Sequence, residues 1–245
     1  MIWFCGDLHR EYGAIIRKFN VNDHFGDILI STGDFAALWY FDDPTEEIYE
    51  MKQKLWFLTI LVVPGNHENY DLIEQYEEFD YCDGKAREIL PGLLYLSHGH
   101  IFDIPTYDDI DNINKSRKIF IFGGGLSIDK YSRIEGQSWW PQEYPAPVTM
   151  QFVVDNLANV KQLDYIVTHV APKGEILDDV VAHCCIGGNK KDDSVSHFLG
   201  TLINLDVVPD YKHWICGHYH ESFQQSSKFR VLGIDEIVSE VELSD

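Results

Sequence analysis

Positive charge is scarce in this chain. Nineteen lysines and arginines stand against forty aspartates and glutamates, a formal net charge of -21 over 245 residues. Such a surface repels polyanions, so extended nucleic-acid binding is not expected, and no basic amphipathic helix is present to dock on a membrane. Also missing is any apolar stretch near the roughly 20 residues that a membrane-spanning helix needs. The five cysteines, Cys5, Cys82, Cys184, Cys185 and Cys216, form no CxxC pair, which fits free thiols in a reducing compartment. Adjacent Cys184 and Cys185 are read as structural. The apolar run at Trp3-Phe4-Cys5 already belongs to a first strand and leaves no room for a leader, so a cytoplasmic location is expected. There is no internal repeat, no low-complexity linker and no GxxxxGK[ST] phosphate loop. What remains is a chain of ordinary hydrophobic content, 45%, long enough to bury a core without staples.

Short motifs rich in metal-ligand residues are what the chain does have. In order they are Gly6-Asp7-Leu8-His9, Gly33-Asp34, Gly65-Asn66-His67-Glu68, Thr168-His169 and Gly217-His218-Tyr219-His220. Each follows a short apolar run of buried-strand character: Ile2-Trp3-Phe4-Cys5, Ile28-Leu29-Ile30-Ser31, Leu61-Val62-Val63, Tyr165-Ile166-Val167 and Trp214-Ile215-Cys216. The ligands therefore sit at strand carboxyl ends, where α/β sheets gather their functional loops. Glycines 6, 33, 65 and 217 suit tight turns there. Because the two ends of the chain share one site, a single domain over 1–245 is expected. Imidazole, carboxylate and one amide oxygen together suit Mn, Fe or Zn better than calcium or a thiolate-bound metal. Two such ions roughly 3.5–4 Å apart clamp the attacking and leaving oxygens of a displacement at phosphorus and acidify a water held between them.

The ordered set D-x-H, GD, GNH[E/D], H and GHxH, matched from Asp7 to His220, resembles the calcineurin-like metallophosphoesterase superfamily. That resemblance implies an α/β four-layer αββα sandwich, with two mixed β-sheets flanked by helices. It implies two metal ions, manganese foremost with iron or zinc as alternatives. One would be held by Asp7, His9, Asp34 and His220, the other by Asp34, Asn66, His169 and His218. Asp34 bridges them, and His67 acts on the leaving-group oxygen. The expected reaction is hydrolysis of a phosphate mono- or diester, small or nucleotide-like, by a metal-bridging hydroxide.

Periodicity predicts helices over 12–19, 45–55, 70–78, 149–161 and 194–204, with 80–85 irregular. Short strand-like runs at 93–96, 101–104 and 118–122 suggest antiparallel strands of a second sheet, to which the tail at 229–232 and 237–243 would return. Histidines 24, 98, 100, 183, 197 and 213 match no motif and are read as structural.

Substrate choice is assigned to a loop within 123–147. Arg133 there can grip a phosphate through two prongs, and Trp139 can stack on a base or sugar; both are expected to face the metals. Arg10, next to His9, is a further anion contact. Protein serine/threonine phosphatases and dinucleoside tetraphosphatases of the superfamily usually continue the second motif as D-R-G, whereas Asp34 here is followed by Phe35-Ala36-Ala37, which weakens both assignments. A non-catalytic adaptor that binds a protein partner through the same scaffold is the remaining alternative, and the complete ligand set stands against it. Composition and spacing leave the oligomeric state open.

Overall fold

The computed structural model describes residues 1–39, 45–107, 114–127, 129–184 and 193–243. Cys185, and Ile128 of the 123–147 segment, lie outside the described residues. One sheet contains β1 (Ile2–Cys5), β2 (Ile28–Ser31), β3 (Thr59–Val62), β4 (Glu78–Tyr81), β5 (Gly84–Leu90), β6 (Leu93–Leu96) and β13 (Ile237–Ser239), in the order β13-β1-β2-β3-β6-β5-β4. The other contains β7 (Ile101–Tyr107), β8 (Asn114–Phe122), β9 (Gln162–Thr168), β10 (Asp210–Cys216), β11 (Phe223–Gln224) and β12 (Phe229–Val231), in the order β11-β12-β10-β9-β8-β7. Parallel strands fill the middle of each sheet and antiparallel ones the edges.

Three cores define four layers. Alternate residues of β1 show why: Ile2 and Phe4 enter a core shared with Phe102, Ile119, Ile121, Val167 and Ile215 of the second sheet. Trp3 and Cys5, on the opposite face, join Ile15, Ile48 and Met51 from helices α1 (Gly13–Lys18) and α3 (Glu46–Lys54). The outer face of the second sheet is covered by α5 (Pro147–Ala158), α6 (Glu175–His183) and α7 (Ser194–Asn204), through residues such as Val153, Val180 and Leu199. Strands buried on both faces read as unbroken apolar runs rather than as alternating ones. The two-sheet sandwich expected of the sequence is therefore the one observed.

Several elements differ from expectation. The 70–78 helix stops after one turn as α4 (Tyr70–Ile73), capped by the Asn69 side chain. Residues 78–90 form the β4–β5 hairpin instead, turning at Cys82 and Asp83 with φ 48° and 67°. Strand β6 belongs to the first sheet, parallel to β3; all four of its residues are buried, which an edge strand of a separate sheet does not require. Strand β13 likewise pairs antiparallel with β1 rather than returning to the second sheet. Helices α2 (Val21–His24) and α6 were not foreseen. Thr45 precedes α3, but its hydroxyl accepts from Arg10 and does not cap the helix.

The described cysteines Cys5, Cys82, Cys184 and Cys216 are free thiols. Among the described residues no helix is long and apolar enough to cross a membrane.

Candidate metal centre and active-site cleft

Loops at the carboxyl ends of β1, β2, β3, β9 and β10 are stitched to one another by backbone bonds. The amides of Leu8 and His9 donate to the Asp34 carbonyl at 3.2 and 2.8 Å, and the Gly217 amide donates to the His169 carbonyl at 3.1 Å. The His67 amide donates to Asp34 Oδ1 at 2.8 Å, and the His218 amide to both oxygens of Asp7 at 2.9 and 3.1 Å. His9, Asp34, His218 and His220 all sit in the left-handed region, at φ 45°, 48°, 69° and 64°. Such conformations cost on the order of 1–3 kcal/mol each and are retained where the surroundings enforce them.

Glycine serves two different needs here. Gly33 has φ 123°, so it meets the turn requirement. Gly65 has no such angle; a Cβ on it would lie 2.1 Å from Asp34 Oδ1, so its role is to let the loop approach that carboxylate.

The side chains converge in three overlapping groups: Asp7, His9 and His220; His9, Asp34 and His67; Asp34, His169 and His218. Within each, the donor atoms lie within 4.8 Å of one another. His9 Nε2 is 3.0 Å from His220 Nε2, and His220 Nε2 is 3.4 Å from Asp7 Oδ2. His169 tests whether a cation fits. Its Nδ1 is 3.0 Å from the Thr32 carbonyl, which can only accept, so the ring proton is on Nδ1 and Nε2 carries a lone pair. Around that lone pair stand Asn66 Oδ1 at 3.0 Å, His218 Nδ1 at 3.2 Å and Asp34 Oδ1 at 3.4 Å. Two of these neighbours are oxygens that only accept. Electron-rich atoms facing one another in a buried site are the arrangement that a cation relieves, and imidazole, carboxylate and amide oxygen suit a first-row divalent ion.

Burial alone would push the Asp34 carboxyl up, but positive charge on His169, His67, His9 and His218 when those rings are protonated outweighs it and lowers the carboxyl below the usual carboxylate range. His67 is lowered by burial, with Arg133, His9 and His169 acting the same way against the opposing pull of Asp34. Arg133 Nη2 is 3.1 Å from His67 Nε2. A guanidinium only donates, so His67 accepts there. Further contacts hold Arg133 to Asp129 Oδ1 at 2.8 Å and to the Asn66 and Ser138 carbonyls at 3.4 Å each.

A cleft of about 250 Å³ opens over the site, lined by Asp34, Asn66, His67, Leu126, Asp129, Arg133, His218 and His220. Arg133 thus lies beside the convergent ligands. Trp139 does not line the cleft; it is buried, with the Lys130 ammonium 3.9 Å from its ring centre. The Arg10 guanidinium turns to Glu47 Oε2 at 3.0 Å and Thr45 Oγ1 at 2.9 Å.

Four residues at the site carried no role in the sequence reading. The Trp39 ring stacks on His67 with centroids 4.8 Å apart at 23°, and is backed edge-on by buried Trp140 at 5.7 Å. Ser127 accepts from Asn66 Nδ2 at 3.2 Å and donates to Glu143 Oε2 at 2.7 Å. Glu68, fully buried, accepts from the Ala36 amide at 3.1 Å and the Tyr95 hydroxyl at 2.6 Å, so it ties the loop after Asp34 to β6. Glu68 closes the Gly65-Asn66-His67-Glu68 motif, which is its sequence signal; nothing local distinguishes Trp39, Ser127 or Glu143.

Comparison with known proteins adds a family and two relatives. The family model described as calcineurin-like phosphoesterase matches residues 1–222. The chain is 24% identical to "Uncharacterized protein L509" of Acanthamoeba polyphaga mimivirus, over 94% of this chain and 87% of that protein. It is 23% identical to "Uncharacterized protein MJ1162" of Methanocaldococcus jannaschii, over 88% of this chain and 78% of the other.

Proposed function

The chain belongs to the calcineurin-like phosphoesterase family, and from that premise we propose that it is a two-metal hydrolase of a phosphate mono- or diester, acting on a small or nucleotide-like substrate. The observation that carries this reading is the sharing of Asp34 and His9 between adjacent donor groups, which makes one continuous ligand field out of residues from five loops. Asp7, His9, Asp34 and His220 would hold one cation, and Asp34, Asn66, His169 and His218 the other. Two such ions, manganese or alternatively iron or zinc, supply Lewis acidity for a nucleophilic water and for the phosphoryl oxygens.

Distance alone would also admit His67 as a ligand. Its contact with Arg133, on the wall of the cleft, supports a role at the leaving-group oxygen instead. In this reading a bound phosphate draws the Arg133 guanidinium to itself, and His67 Nε2 is freed for proton transfer. Arg133 then supplies the anion contact that a D-R-G motif would have placed after Asp34, where Phe35 stands. Arg10 reaches substrate only by giving up Glu47, and Trp139 acts as support beneath the 123–147 segment. We place all of this in one catalytic domain.

The test is elemental analysis of the purified protein together with turnover of p-nitrophenyl phosphate and bis-p-nitrophenyl phosphate in manganese, iron and zinc. About two metal equivalents and chelator-sensitive hydrolysis are expected. A folded protein that turns over neither ester with any of these ions, nor a panel of nucleotides and phosphopeptides, would instead be an adaptor.

A further inference from the structure

We propose that Glu143, through Ser127, decides which end of the Asn66 amide faces the metal centre, so that a residue outside the ligand set controls one of its ligands. The proposal rests on the reading of Asn66 as a ligand. A carboxamide has two ends of nearly equal shape, and only the oxygen can bind a cation. Some neighbour must therefore specify the orientation.

Ser127 has a single hydroxyl proton to give. Glu143 Oε2 accepts it at 2.7 Å, while the alternative acceptor, the Asn66 carbonyl, lies at 3.5 Å. With its proton committed to the carboxylate, Ser127 Oγ offers lone pairs to Asn66 Nδ2 at 3.2 Å. The amide oxygen is thereby turned toward His169 Nε2 at 3.0 Å. Glu143 is itself fixed, 1% exposed and receiving the Ser127 amide on Oε1 at 3.4 Å. A carboxylate has nothing to donate, so donation runs in one direction only, from Asn66 to Ser127 to Glu143. Partners behind a metal ligand typically alter metal affinity by about 10–100-fold.

Glu143→Gln keeps the shape and removes the guaranteed acceptor. The Ser127 amide can only donate, so it takes the new Oε1 and leaves Nε2 facing Ser127 Oγ. Ser127 then accepts from Gln, and its proton is released to the Asn66 carbonyl at 3.5 Å or to the Asn66 amide oxygen, so the orientation of that amide is no longer specified. Glu143→Ala removes the acceptor altogether and frees the same proton. Both changes should therefore weaken metal retention, the isosteric one included although it keeps the shape of the side chain.

The experiment titrates apoprotein with Mn²⁺ by calorimetry and counts bound metal by elemental analysis, with circular dichroism and thermal melts to confirm the fold. Wild type should bind two ions. Glu143→Gln should weaken one of them about tenfold or more and leave the other, held by Asp7, His9, Asp34 and His220, near its wild-type affinity. Glu143→Ala should weaken the same ion. If Glu143→Gln binds both ions as wild type does, the orienting role is wrong and Glu143 only fills space. Should Glu143→Gln not fold, Ser127→Ala decides: it frees the Asn66 amide, and unchanged affinity for both ions would overturn the proposal. A wild-type protein that binds no metal overturns the site reading itself, a result distinct from all of these.

Discussion

At the scale of single residues, the proposed division between holding metal and moving a proton would separate Asp34 from His67. Asp34 faces His9, His67 and His169 at 3.9, 4.0 and 3.4 Å, so Asp34→Asn is expected to lower metal occupancy along with turnover. His67→Ala should leave occupancy intact and cost about 10²–10⁴-fold in turnover, the usual worth of acid–base assistance. Equal metal loss in the two variants, measured by elemental analysis, would contradict the assignment. Trp39 belongs to the same argument because it fixes the plane of the His67 ring by stacking. Trp39→Ala should reduce kcat by about tenfold for phenyl phosphate, whose departing oxygen needs a proton, and much less for a dinitrophenyl ester, whose leaving group does not. Trp39→Phe should recover most of the loss. A deficit independent of the leaving group would mean that Trp39 only packs the wall.

Elements explain which parts of the molecule could be read in advance. Strands before Asp7, Asp34, Asn66 and His169 were legible because each is a short apolar run ending in a polar turn, and metal-ligand spacing then placed their ends together. Membership of β6 and β13 was not legible, because pairing is settled between strands distant in sequence; Leu93-Leu94-Tyr95-Leu96 is equally apolar for either sheet. Arg133 was legible as a charge in a glycine-rich segment. Composition points Trp139 toward the metals, whereas its ring is buried with Lys130 and Tyr144 against it. The end of β8 offers an element-scale test. His98 Nδ1 accepts the Gly123 amide at 3.0 Å where β8 gives way to the 123–147 segment. Burial, with His100 adding to it, pushes His98 down to about 4 from 6.5. The unfolded chain then binds more protons than the folded one between those values, so stability should be full above pH 6.5 and fall as pH drops toward 4. Protonation also sets an N–H against the Gly123 amide. His98→Asn keeps an acceptor but cannot titrate, and urea unfolding across this range should show it losing less stability than wild type. Parallel losses would remove His98 as the cause.

For the molecule as a whole, a net charge of -21 surrounds a cleft whose proposed substrate is also anionic. Two divalent ions bound there would reverse the local sign at the site, but a substrate must first cross the field of the surrounding surface. That field decays over about 8–10 Å at physiological salt and reaches further at low ionic strength. Substrate charge should therefore set the salt response. Raising NaCl from about 0.01 to 0.15 M shortens the screening length from about 30 to 8 Å, which should increase kcat/KM for a triphosphate nucleotide more than for a singly charged diester, with kcat itself nearly constant. The opposite sign, activity toward the polyanion falling as salt rises, would reveal a cationic path into the cleft. Among the described residues Arg133 is the basic side chain that lines the cleft, and Arg133→Ala would then weaken the effect.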